Sequence, residues 1–70
     1  SSYECGEAQD EVNKANEAID SADKLFHLRR ALRLCPNNSS YHTMLGDLYL
    51  KLGRKEDADF EFGEARRLGL

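Results

Sequence analysis

Cys5, Cys35, His27 and His42 are the side chains whose types could hold a metal ion or run thiol chemistry. A zinc site draws on four donors at short local spacings, a CxxC or a close pair of histidines. Neither spacing occurs, and His27, if helical, would stand about 12 Å along the axis from Cys35 at 1.5 Å per residue. A CxxC redox centre is absent for the same reason. Ser39, Ser40, His42 and Thr43 set hydroxyls beside an imidazole, but serines and asparagines in such a cluster read first as helix caps beside an exposed histidine. The acids Asp57, Asp59 and Glu61 read as solvated helix surface, not as cleft carboxylates. Gly46 and Gly53 stand apart with no Gly-Lys-Ser/Thr after them, so no phosphate loop is present. The residues therefore point to no catalytic site, no metal and no cofactor. Cys5 and Cys35 stay open between a disulfide and two reduced, buried thiols.

The elements that must position these residues are helical. Apolar residues fall at Ala8, Val12, Ala15 and Ile19, then at Ala22, Leu25, Phe26, Leu28, Ala31, Leu32 and Leu34. They continue at Tyr41, Met44, Leu45, Leu48, Tyr49 and Leu52, and again at Ala58, Phe60, Phe62, Ala65 and Leu68. Steps of three and four residues are helix spacing. Pro36 disfavours a helical Cys35, so a helix ends there. Asn38 or Ser39 can cap the next one, Ser21 can cap an earlier one, and Gly53 suits a left-handed helix end. The spacing predicts four helices, about 4–18, 21–35, 40–52 and 55–68, and no strand.

With 70 residues, 40% hydrophobic and 33% charged, the chain fits one small folded domain and not a disordered tail. No apolar stretch is long enough for a membrane span. The chain does not begin with Met, so it reads as a mature chain or an excised fragment, with Ser1-Ser2 a cloning remnant. The net charge of −3 is uneven: residues 1–20 hold six acids against Lys14, and residues 21–35 hold four bases against Asp23. No basic stretch with interleaved aromatics argues for nucleic acid.

A shift of 34 places Phe26 on Phe60, Leu28 on Phe62, Ala31 on Ala65 and Leu34 on Leu68. In the second half, Leu45-Gly46, Tyr49, Ala58, Phe62 and Ala65 follow a spacing that resembles the tetratricopeptide repeat. Six of the eight signature positions are filled; His42 stands at the usual Trp and Leu70 at the usual Pro. In the first half Ala31 and Pro36 fit, Leu28 replaces the aromatic, and Lys24 departs from the small Ala position. A uniform shift puts Glu11 at the Leu position, which is wrong for a core. A shift of 33 pairs Ala8, Val12, Ala15 and Ile19 with Tyr41, Leu45, Leu48 and Leu52, so the first turn is expected to be one residue shorter than the second. The resemblance implies an all-α fold of two antiparallel helix-turn-helix repeats, residues 4–38 and 39–70, stacked in one domain as a short right-handed solenoid.

In an antiparallel helix pair the start of the first helix lies beside the end of the second. Cys5 and Cys35 would then be neighbours, and a disulfide becomes the favoured reading. Bonded cysteines would imply a periplasmic or extracellular setting, reduced ones a cytoplasmic setting. The resemblance further implies a non-enzymatic, protein-binding scaffold, a piece of a larger envelope or secreted protein, whose first helices line a concave groove for a peptide or a partner helix. The groove positions would include Asp10, Lys14, Glu17, Thr43, Met44, Asp47, Leu50 and Lys51, with Glu7, Glu11, Ala18 and Ser40 beside them. Such an acidic surface suits a basic partner. The residues that clamp a peptide carboxylate in some members are not reproduced. Other classes are a homo-oligomeric assembly piece, self-associating through the fourth helix, and a thiol redox or metal-handling protein.

Overall fold

The computed structural model describes residues 4–69, so Ser1-Ser2 and the Leu70 signature position lie outside the described residues. Four helices follow in order: α1 (Cys5–Glu17), α2 (Ser21–Leu34), α3 (Ser39–Lys51) and α4 (Lys55–Gly69). The chain divides into two compact units, one ending at Pro36 and the other beginning at Asn37. Within the first, α1 packs on α2; within the second, α3 packs on α4. Among the described residues there is no strand, and no helix is long and apolar enough to cross a membrane.

The helix ends follow from local chemistry. The Asn38 side chain accepts from the Tyr41 amide at 3.0 Å and starts α3. At α2 the cap is Asp20, which accepts from the Ala22 amide at 3.1 Å, and not Ser21, which is the first helical residue. A carboxylate at that position also meets the positive end of the helix dipole. Gly53 takes φ +77° just after α3, a backbone region that only glycine enters without strain. Acidic Glu7 in the first turn of α1 and basic Arg66 and Arg67 in the last turn of α4 suit the dipoles of those helices.

The two turns are equal in length. Residues 18–20 join α1 to α2 and residues 52–54 join α3 to α4, so every helix start recurs after 34 residues. The shortened first turn is therefore corrected. Under the uniform offset Ala8, Glu11, Val12 and Ala15 correspond to His42, Leu45, Gly46 and Tyr49, and all eight are buried. Ile19, which made the 33-residue shift look clean, is 98% exposed in the turn. Phe26 and Leu52, also counted as core-spaced, are exposed as well.

The first unit has a core of small side chains, Ala8, Val12, Ala15, Leu28 and Ala31. The second fills its core with Tyr41, Leu45, Leu48, Tyr49 and Ala58. A Cβ placed on Gly46 would lie 2.5 Å from the Phe62 ring, so α3 and α4 meet there only because the side chain is absent. The equivalent positions in the first unit are Val12 and Leu28: one small and one large residue are replaced by two of middle size.

Candidate partner-binding site

Each unit holds a buried or half-buried histidine–glutamate pair between its helices. In the first, Glu11 of α1 accepts from His27 Nδ1 of α2 at 2.7 Å, with Arg30 at 3.4 Å and Lys14 at 3.6 Å. The bond from His27, aided by Lys14 and Arg30, holds the Glu11 carboxyl below its ordinary value against the opposing effect of burial. In the second, His42 Nδ1 of α3 lies 2.7 Å from Glu61 Oε1 of α4. Residues 27 and 61 are equivalent under the 34-residue offset, so the second helix supplies the histidine in one unit and the glutamate in the other.

Three expectations change here. Glu11 is buried and paired, so it does not face a partner. His42 is buried rather than exposed, and Glu61 turns inward while Asp57 and Asp59 stay on the surface. Read alone, Glu11 breaks the core pattern; the signal that could rescue it is a histidine at 27 where the second repeat has a glutamate, Glu61.

Cys5 and Cys35 form a disulfide with 4.9 Å between their Cα atoms. The same end of the first unit is tied by the Glu4 amide, which donates to the Leu34 carbonyl at 3.0 Å. At the other end Lys24 Nζ donates to the Ala15 carbonyl at 3.2 Å. A cation there meets the negative end of the α1 dipole, which accounts for a lysine at a position that is Ala58 in the second unit. Among the described residues no group of three or more His, Cys, Asp or Glu side chains is placed to hold a metal ion.

The residues expected to meet a partner lie on the first helix of each unit. On α3, Thr43, Asp47, Leu50 and Lys51 form one exposed stripe at helical spacing, with Met44 half-buried at its edge. Leu50 is 49% exposed, an apolar side chain in water between Asp47 and Lys51. On α1, Asp10, Lys14 and Glu17 are all exposed. The uniform offset makes Gln9, Asn13 and Glu17 the counterparts of Thr43, Asp47 and Lys51, while Lys14 corresponds to buried Leu48. Gln9 donates to the Asn13 side chain at 3.1 Å, which holds both amides on that exposed side.

The signature residues occupy the helix-pair cores. Leu45, Gly46 and Tyr49 are buried in α3, Ala58 is buried in α4, and Ala31 is buried in α2. Phe62 and Ala65 are half-buried in α4, and Pro36 is half-buried after α2. Arg54 covers the Tyr49 ring with its guanidinium 4.6 Å from the ring centre, and its Nε donates to Asp57 at 2.8 Å.

Residues 27–60 match the family model described as tetratricopeptide repeat. The matched segment runs from the middle of α2 through α3 into α4, one full 34-residue period cut at a different point of the cycle. No curated protein matches the chain, and no solved structure matches it.

Proposed function

From a chain that carries a tetratricopeptide repeat, we propose a non-catalytic binding module that takes a basic peptide or partner helix on the exposed side of a unit's first helix, α1 or α3. The repeat makes a protein-interaction role the general reading. The observation that carries the finer reading is the α3 stripe, where exposed Leu50 sits among Thr43, Asp47 and Lys51 with Met44 at its edge. An exposed leucine supplies apolar contact, methionine adapts to the ligand's shape, and carboxylates steer cations. On α1 the proposed contacts are Asp10, Asn13 and Glu17, with Lys14 and Gln9 at the margin. Each unit offers its own first helix. The disulfide supports an oxidising setting, periplasmic or extracellular.

The test is a double charge reversal, Asp10→Lys with Asp47→Lys, read by fluorescence anisotropy of a labelled peptide with lysines flanking a leucine. Both side chains are exposed, so helicity stays unchanged. The expected result is at least about a tenfold loss of affinity at low salt, with a flatter salt dependence. Equal affinity in the variant and the parent chain would remove α1 and α3 as the site.

A further inference from the structure

The second helices carry exposed features that the binding of a basic partner does not use. Phe26 of α2 and Phe60 of α4 are equivalent under the 34-residue offset, and they are 53% and 64% exposed. Beside Phe26, the residues Ala22, Leu25, Arg29 and Arg33 line an open concavity of about 400 Å³ along α2. Arg29 and Arg33 have no ion-pair partner among the described residues, whereas Arg30 is engaged by Glu11 and the Phe26 ring. Its lining combines apolar Ala22, Leu25 and Phe26 with the cations Arg29 and Arg33.

The same repeat positions around Phe60 have the opposite character. Ala22, Leu25 and Arg29 become Glu56, Asp59 and Gly63. Glu56 has no partner among the described residues. Asp59 meets Lys55 at 3.4 Å, but both ends of that pair are mostly exposed, so it holds Asp59 only weakly. Arg67, the one base at a matching position, is taken by Glu64 at 2.8 Å. Gly63 lies one turn beyond Phe60 inside α4, where glycine weakens a helix. A Cβ at Gly63 would meet nothing within 4 Å, so the packing of this chain does not require the missing side chain. A gap beside an exposed aromatic ring suits the ring of another molecule.

We propose that a second copy of this chain covers both faces, α2 of one copy against α4 of the other. Phe26 packs beside Phe60 over the gap at Gly63, and Arg29 and Arg33 face Glu56 and Asp59. Each copy carries one face of each kind. An α2 face meeting an α4 face is a heterologous contact between copies. The surface is separate from the α1 and α3 sides, so this inference and the peptide reading fail independently.

Sedimentation equilibrium over a concentration series tests it, with circular dichroism to confirm unchanged helicity. The parent chain is expected to show concentration-dependent self-association that weakens as salt rises. Arg29→Glu with Arg33→Glu, or Glu56→Lys with Asp59→Lys, raises the dissociation constant of self-association by about tenfold or more. Mixing the two variants in equal amounts restores association, because every α2–α4 contact between unlike copies is again complementary. Phe60→Ser weakens association without a charge change, and Asp10→Lys with Asp47→Lys leaves it intact. A chain that stays monomeric up to about 1 mM overturns the proposal. So does a charge reversal without effect, or a mixture that fails to recover.

Discussion

Glu11 occupies the position that Leu45 fills in the second unit, yet it is buried. The cost of burying a carboxylate is offset by His27 at 2.7 Å, with Arg30 and Lys14 within ion-pair reach. Its pKa in the folded chain lies below the ordinary value of 4.5. The stabilisation it gives is therefore complete above that value and lost as pH falls through the folded pKa. Urea midpoints near pH 7 and near pH 3 should differ more for the parent chain than for Glu11→Gln, in which this titration is gone. Equal losses in both would mean that Glu11 gains nothing from folding. At Gly46 the constraint is steric. Gly46→Ala should destabilise by about 1–3 kcal/mol in urea unfolding, and Phe62→Leu in the same chain should recover part of the loss. The need for glycine at 46 was legible from the repeat pattern, because small residues mark close helix crossings. The role of Glu11 was not, because a single acid at an apolar position reads as a register error until its partner is seen across the helix pair.

At the scale of elements, the ends of the helices were the most legible feature. Pro36 and Gly53 act on the backbone directly, and their effect does not depend on distant neighbours. At the turn between α1 and α2 the apolar spacing misleads, because Ile19 extends an apolar series that the chain leaves in water. Apolar spacing alone does not separate a core residue from an exposed one at a helix end. The capping assignment has a direct check. Asn38→Ala should cost about 1 kcal/mol, whereas Ser21→Ala should stay within about 0.5 kcal/mol because Asp20 is the cap. Gly53→Ala should cost about 1–2 kcal/mol, since alanine at φ +77° is strained. Comparable losses for Ser21→Ala and Asn38→Ala would restore Ser21 as the cap.

At the scale of the whole molecule, the two helix pairs reach stability by different means. The second unit relies on large side chains, Tyr41, Leu45, Leu48 and Tyr49. The first has mostly small ones and adds the Cys5–Cys35 bond across its open end. Closing a loop of 30 residues contributes roughly 3–4 kcal/mol in the chain-entropy view. Domains hold about 5–15 kcal/mol in total, so that is a large share. Reduction should lower the unfolding midpoint, and hydrogen exchange should quicken in α1 and α2 more than in α3 and α4. Thiol titration should find none before reductant and two after it. The partner-binding side was less legible than the fold, because an exposed stripe is defined by what it does not touch. The sequence pattern alone places Glu11 among the binding residues, whereas the fold buries it.

The most direct measurement is a two-dimensional amide NMR titration of the chain with the lysine-flanked leucine peptide. Shifts concentrated on Asp10, Asn13 and Glu17 of α1 and on Thr43, Met44, Asp47, Leu50 and Lys51 of α3 are the expected result. Shifts confined to α2 and α4, or none at saturating peptide, would contradict a partner site on the first helices.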